Sequence, residues 1–227
     1  MKFEKHTGKL PFSIKILGKF DDQPFLTSER HPLSLVIQDN FFRDPDKIRE
    51  IALSMEFAKV TYSGFPGVRT GFFYCEHLHQ KLNQLLKWEN STVDFMAFSC
   101  TMESTPREIH FDIKPDDDLY DVYAGIVYLS KPLEKREGTA FWKHTQTGYH
   151  GIPPKRKTSF SEFIQHSLSC DLEKQSEWEK TLSVEYFFNR LLLYPANLFH
   201  QIGPGWRETV KEARLVLTMQ LRTLKKL

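Results

Sequence analysis

A mainly β chain with flanking helices, its strands closing into an antiparallel barrel or jelly roll, is the fold this sequence predicts, on three observations. At least five short β-rich segments recur from Thr92 onward with turn residues between them. Two amphipathic helices come before them, and a further helical stretch divides them. At 227 residues the chain suits one domain. Residues 1–91 are expected to form an N-terminal elaboration and residues 92–221 the barrel core, with a helical insertion over about 150–188.

Taken in order, Leu33 to Ile37 is a short apolar strand, and Asp44-Pro45 reads as an N-cap followed by proline at the first helical position, where its missing N–H costs nothing. Ile48, Ile51, Ala52 and Met55 then share one helical face, which predicts a helix over roughly Pro45 to Phe57. After the turn-rich stretch Ser63 to Gly67 and Val68-Arg69-Thr70, the spacing of Leu78, Leu82, Leu85 and Leu86 predicts a second helix over about Glu76 to Trp88. Strands follow at Thr92 to Met102, at the nearly continuous apolar run Val122 to Leu129, and at Thr139 to Lys143, then at Leu191 to Tyr194 and Ala213 to Leu221. Between them, Ser159 and Glu162 make a capping box for a helix with Phe160, Phe163, Ile164 and Leu168 on one face. A charged helix is expected over about Glu173 to Ser183. This insertion serves equally well as a lid or as a packing element.

The formal net charge of +2, from 31 basic and 29 acidic residues, argues against nucleic-acid binding through bulk electrostatics, although Lys155-Arg156-Lys157 is a local basic cluster. Cys75, Cys100 and Cys170 are odd in number and widely spaced, and read as reduced, buried thiols. Met1 to Lys19 scatters lysines through any apolar stretch, and no run approaches the roughly 20 apolar residues that cross a bilayer. A cytoplasmic protein without membrane contact is the expectation, and the oligomeric state is left open.

His110 and Asp112 are one residue apart, so on an extended backbone they point to the same side while Phe111 points away. His200 follows the strand Leu191 to Tyr194 and precedes the turning stretch Gln201-Ile202-Gly203-Pro204-Gly205. Two neutral imidazoles and one carboxylate on one face of a metal leave the opposite positions open to a cosubstrate and O2, an arrangement suited to non-haem Fe(II). His77 and His79 share the same spacing but fall on a helix, about 200° apart around its axis, and belong to the surface. His144 and His150 are expected at the surface or behind the metal ligands. Arg214 opens an alternating segment in which Arg214, Val216, Thr218 and Gln220 face one way and Leu215, Leu217, Met219 and Leu221 the other. A guanidinium there forks onto a carboxylate, and Thr218 offers a hydroxyl on the same face.

With these residues in place the chain resembles the Fe(II)/2-oxoglutarate-dependent dioxygenase superfamily, in particular its prolyl-hydroxylase-like branch, over roughly Phe95 to Leu221. His110-Phe111-Asp112 matches the HxD element, and Tyr123 to Ser130 matches the buried strand after it. Glu137 to Phe141 matches the glycine-rich turn and strand, Asn189 to Pro195 with His200 the distal ligand strand, and Arg214 the basic residue for the cosubstrate's far carboxylate. Asp39 to Pro45 and Phe65 to Arg69 are similar to the N-terminal portion of small bacterial and phage members. The resemblance implies a double-stranded β-helix, a cupin-like jelly roll, holding Fe(II) on His110, Asp112 and His200 and using 2-oxoglutarate and O2. It implies hydroxylation of a C–H bond in a small-molecule or peptidyl substrate, with release of succinate and CO2. Many relatives carry Ser or Thr two positions after the arginine. Val216 stands there, which leaves Thr218 or Tyr128 as the partner of Arg214.

Two other readings share these residues. One is a cupin-like metalloenzyme without the oxo-acid, and the other is an interaction protein that has lost its metal. Phe141, Trp142, Tyr149 and Trp206 are aromatic candidates for the substrate side, with a core role favoured for the first two. Asp116-Asp117-Asp118 lies just after the HxD element, where it repels acidic substrates or solvates a loop.

Overall fold

The computed structural model describes residues 35–59, 67–112, 120–131, 136–146, 148–152 and 175–224. In chain order the elements are β1 (Val36–Gln38), α1 (Pro45–Leu53), β2 (Ala58–Lys59), β3 (Val68–Arg69), α2 (Glu76–Leu86), β4 (Thr92–Thr101), β5 (Tyr120–Tyr128), β6 (Arg136–His144), β7 (Trp178–Tyr186), β8 (Leu191–Pro195), β9 (His200–Ile202) and β10 (Arg214–Leu224). The larger sheet has the order β1-β8-β5-β10-β4-β3-β2 and the smaller one β7-β6-β9. All their pairings are antiparallel, and the expected jelly roll is the fold observed.

The alternation of β10 explains how the layers stack. Leu215, Leu217, Met219 and Leu221 pack against Ala52 of α1 and Leu78 and Leu82 of α2, so the helices cover the outer face of the large sheet. Val216 points the other way, into an interior cluster with Ala124, Ile126 and Tyr128 of β5 and Leu192 and Tyr194 of β8, closed from the small sheet by Phe141, Val184 and Tyr186. Burying each side chain of this size contributes about 1.5–3 kcal/mol. A third cluster of Ala140, Trp142, Trp178, Ile109, Ile152 and Phe199 lies on the opposite face of the small sheet.

Both N-terminal helices begin where the sequence places them. The Asp44 carboxylate accepts the Lys47 backbone N–H at 3.0 Å, with Pro45 opening α1. The helix stops at Leu53, short of Phe57, because the Ser54 hydroxyl turns back onto the Ile51 carbonyl at 2.7 Å and Ala58–Lys59 leave to pair with β3. Helix α2 ends at Leu86 because Lys87 takes a left-handed conformation, φ 55°. The Asp39 to Pro45 segment is clamped to the start of β8. Arg190 donates to the Asp39 carboxylate from Nε at 2.6 Å and from Nη2 at 3.1 Å, while Asn189 exchanges hydrogen bonds of 2.8 Å with the Phe42 backbone.

One expectation is overturned. The charged helix over Glu173 to Ser183 is absent, since Gln175–Glu177 is a single 3-10 turn and Trp178–Tyr186 is strand β7, paired along β6. The charges of Glu179 and Lys180 suggest a helix, but Leu182, Val184 and Tyr186 alternate with Ser183 and Glu185, and pairing with β6 decides the matter. Residues 1–34, the Ser159 capping box, Lys155-Arg156-Lys157, Asp116-Asp117-Asp118 and Cys170 lie outside the described residues. Cys75 is a half-buried free thiol and Cys100 a buried one, pushed up to about 12 by its burial against the opposing pull of Arg49 and Arg214. Among the described residues no helix is long and apolar enough to cross a membrane.

Candidate metal centre

Backbone pairing brings the HxD element to the distal histidine. The His110 N–H donates to the His200 carbonyl and the His200 N–H to the His110 carbonyl, both at 2.9 Å, so the two residues form a directly opposed antiparallel pair. Side chains of such a pair project from the same face. Two residues on, the Asp112 N–H reaches the Ala196 carbonyl at 2.7 Å and returns its carboxylate to that face. The candidate ligand atoms of His110, Asp112 and His200 lie within 4.8 Å of one another, and this is the metal-capable cluster among the described residues. The two imidazole centroids are 4.2 Å apart, and His200 Nε2 lies 3.3 Å from Asp112 Oδ2.

Both rings are oriented through Nδ1. His110 Nδ1 is 2.9 Å from the Glu108 carbonyl and His200 Nδ1 is 2.9 Å from the Leu198 carbonyl. A carbonyl only accepts, so each Nδ1 carries a proton, which leaves Nε2 as the ring nitrogen available to a metal. Burial holds the His110 imidazole down to about 4, aided by His200 and opposed by Asp112 and by its bond to Glu108. For Asp112, burial pushes the carboxyl up, but the charge and hydrogen bond of His200 together with His110 and Arg69 outweigh it, and the carboxyl sits at about 2. At neutral pH His110 is therefore a neutral imidazole and Asp112 a carboxylate, each in the form that binds a metal.

Two residues that the sequence pattern did not assign hold Asp112 in place. The Tyr194 hydroxyl hydrogen-bonds to its carboxylate, and the Tyr194 ring meets His200 edge-on at 4.8 Å. Burial first, then the Asp112 charge, keep this phenol far above its ordinary range, so it is a proton donor. Gln220 Nε2 donates to the Asp112 backbone carbonyl at 2.6 Å. The signals for both were present, a phenol tip at an interior position of β8 and an amide on the polar face of β10.

Arg214 lies deeper in the interior and is only 1% exposed. Its Nη2 donates to the Gly138 carbonyl at 2.8 Å, while Nε is buried without a hydrogen-bond partner. The rings of Tyr128 and Tyr186 stand 5.6 and 5.5 Å from its guanidinium carbon. Tyr128 also hydrogen-bonds to Arg214, and its hydroxyl lies 3.0 Å from Thr139 Oγ1. Thr218 shares the face, but its hydroxyl is held by the Ala97 carbonyl at 3.1 Å and by Ser99 at 2.9 Å. It stands four residues, roughly 13 Å, along the strand from Arg214. Of the two expected partners of Arg214, the structure brings Tyr128 to it and directs Thr218 elsewhere.

The remaining candidates separate by position. His77 is exposed, and His79 is half-buried between Tyr74 and Ser91, away from the centre. His144 and His150 are buried rather than at the surface, His144 with its ring 5.1 Å from Trp178. Phe141 and Trp206 belong to the interior cluster, whereas Trp142 and Tyr149 pack on the far face of the small sheet.

The model of a family of unknown function (DUF6445) matches residues 24–204. No curated protein matches the chain. Among solved structures, the chain is similar to a truncated form of the viral collagen prolyl hydroxylase vCPH from Paramecium Bursaria Chlorella virus-1, with 13% identity and a TM-score of 0.54 over 88% of this chain and 96% of that one. It is similar to AviO1 from Streptomyces viridochromogenes Tue57, with 9% identity and a TM-score of 0.53 over 84% and 90%. It is also similar to HygX from Streptomyces hygroscopicus with nickel and 2-oxoglutarate bound, with 12% identity and a TM-score of 0.52 over 83% and 82%. At these identities the likeness is one of fold, and the fold is the jelly roll described above.

Proposed function

The chain belongs to the family of unknown function DUF6445, and we propose that it is an Fe(II)- and 2-oxoglutarate-dependent oxygenase that hydroxylates a C–H bond of a small-molecule or peptidyl substrate. The observation that carries this reading is the closeness of three ligand atoms, from His110, Asp112 and His200, within 4.8 Å of one another. A donor set of two imidazoles and one carboxylate suits ferrous iron with open positions. The partnerless buried Nε of Arg214 suits the far carboxylate of a dicarboxylate cosubstrate. The fold shared with HygX, whose structure holds nickel and 2-oxoglutarate, accommodates such a pair.

Bound iron, 2-oxoglutarate and O2 would supply the oxidising chemistry, yielding succinate, CO2 and a hydroxylated product. The chain's own residues prepare the site for it. Hydrogen bonds from His110 and His200 to backbone carbonyls orient both rings and leave Nε2 for the metal. Tyr194 and Gln220 fix the carboxylate and the backbone of Asp112. Tyr128 and Tyr186 exclude water from around Arg214, in a setting where a guanidinium–carboxylate fork is stronger than in solvent. A metalloenzyme that uses no oxo-acid gives no role to this buried cation. The test is succinate release from 2-oxoglutarate by protein reconstituted with Fe(II). His110→Ala and Asp112→Ala should abolish it, and full turnover in either variant would sink the assignment.

A further inference from the structure

Trp206 lies in the same interior cluster as Tyr128 and Tyr186, the two rings that flank Arg214. It is 8% exposed, and its Nε1 is buried without a hydrogen-bond partner, as is Nε of Arg214. The indole meets the Tyr186 ring edge-on with centroids 4.6 Å apart, and that ring stands 5.5 Å from the Arg214 guanidinium carbon. The backbone on both sides ties Trp206 to this end of the interior. Three residues before it, the Gly203 N–H donates at 2.8 Å to the Gly138 carbonyl, the oxygen that also receives Nη2 of Arg214. Gly205 lies so close to β4 that a Cβ there would stand 2.7 Å from the Thr101 carbonyl oxygen, and Thr101 is the strand partner of Arg214. On the other side, the Arg207 carbonyl accepts the Glu103 N–H at 3.2 Å. The indole is thus held beside Arg214 by its backbone and its ring, not by its polar atom.

Other neutral donors around Arg214 are engaged within the fold. The Tyr186 hydroxyl receives the Ser130 N–H at 2.9 Å and donates to the Leu215 carbonyl at 2.8 Å, and the Tyr128 hydroxyl is 3.0 Å from Thr139 Oγ1. Val216, the next position on the Arg214 face of β10, offers no polar atom. An indole nitrogen donates and never accepts, and leaving it buried without an acceptor is costly. Two such donors, one cationic and one neutral, buried against a single tyrosine ring, are complementary to an anion with two oxygens. We propose that Trp206 is a cosubstrate-binding residue whose Nε1–H donates to the far carboxylate of 2-oxoglutarate beside Arg214, so that the site selects a dicarboxylic oxo-acid over a monocarboxylic one of the same length. This rests on the 2-oxoglutarate reading of the site. A neutral donor sharpens that selection without the desolvation of a second cation.

The experiment is calorimetric titration of Fe(II)-loaded protein, under anaerobic conditions, with 2-oxoglutarate and with 2-oxopentanoate, which has the same carbon chain and lacks the far carboxylate. The preference for the dicarboxylate should fall about tenfold in Trp206→Phe, which keeps an aromatic ring and removes the N–H. A packing role alone would weaken both acids alike and leave the ratio unchanged. A second readout is the indole N–H resonance of Trp206 in protein loaded with Zn(II), a diamagnetic stand-in for the iron. It should move downfield with 2-oxoglutarate and stay in place with 2-oxopentanoate. Assigned through the backbone, this signal needs the wild type alone, so it decides the matter should Trp206→Phe fail to fold. An unchanged ratio in folded Trp206→Phe, or a Trp206 resonance that bound 2-oxoglutarate leaves in place, refutes the role of Trp206 while cosubstrate binding stands. If the wild type binds no 2-oxoglutarate, the oxygenase reading falls and this proposal falls with it.

Discussion

Replacing Arg214 by methionine should separate folding from cosubstrate binding. In the folded protein the guanidinium makes one bond to the Gly138 carbonyl at 2.8 Å and stands over two tyrosine rings, at 5.6 and 5.5 Å. Such contacts contribute about 1 kcal/mol for the hydrogen bond and about 0.5–2 kcal/mol for each ring. Against them stands the desolvation of a buried cation, which costs several kcal/mol. The two sides nearly cancel, so R214M without ligand should melt within about 5 °C of the wild type or above it. Cosubstrate binding responds differently. At a concentration of about 100 Kd, 2-oxoglutarate stabilises the wild type by about 2.7 kcal/mol, a rise of roughly 5–10 °C for a domain of this size. Loss of a charge-assisted fork worth about 3 kcal/mol weakens binding by about 100-fold and reduces that rise to about 1 °C. Differential scanning calorimetry on the anaerobic Fe(II) protein measures both quantities. A full 2-oxoglutarate shift in R214M, or a ligand-free variant destabilised by far more than this, would show that Arg214 serves the fold rather than the cosubstrate.

Other outcomes follow from the same geometry. His110 is held at about 4 in the folded protein against an ordinary value of 6.5, so between these pH values the unfolded chain binds a proton that the folded one refuses. The stability of the metal-free protein should therefore decline as pH falls from about 6.5 to about 4, by at most about 3 kcal/mol, and His110→Gln should flatten this part of a pH-dependent denaturation series. The Asp112 carboxyl is also held below its ordinary value, by favourable partners of its charged form, so its contribution is present above about 4 and disappears only toward about 2. Tyr194→Phe removes the bond to the Asp112 carboxylate and keeps the ring against His200, and should weaken Fe(II) affinity by about 10- to 100-fold in competition titrations with little change in melting temperature. Gly138→Ala places a methyl group 2.6 Å from the Tyr128 hydroxyl and 2.8 Å from the Val184 carbonyl. It should destabilise the protein by about 1–3 kcal/mol in urea melts and raise the KM for 2-oxoglutarate, because the same residue's carbonyl holds Arg214.

The sequence carried the parts of the fold that depend on local pattern. The period-two alternation of β10 survives intact, with Leu215 and Leu217 toward the helices and Val216 inside. The Asp44-Pro45 start of α1 is where the capping chemistry puts it. Short strands were hidden because two residues hold no period, as in β2 and β3, and β9 extends only from His200 to Ile202. Strand β7 was misread as a helix because its surface charges obscured the alternation of Leu182, Val184 and Tyr186. The ligand triad was legible from chemistry and spacing, but its geometry comes from the reciprocal backbone bonds between His110 and His200, a long-range pairing that no window of sequence contains. Tyr194 and Gln220 acquire meaning only after that pairing, since each acts on a residue distant in the chain. Thr218 was offered alongside Tyr128 as a partner of Arg214 on the strength of a shared face, and four residues of strand separate it from the arginine.

Whether one centre takes both iron and 2-oxoglutarate is read by titrating 2-oxoglutarate into Fe(II)-loaded and metal-free protein under anaerobic conditions, following heat and visible absorbance. One equivalent should bind with a charge-transfer band when iron is present, binding should be strongly weakened without iron, and the band should be lost in Asp112→Ala. Equal binding of 2-oxoglutarate with and without iron, or no iron uptake by the wild type, would contradict a shared centre.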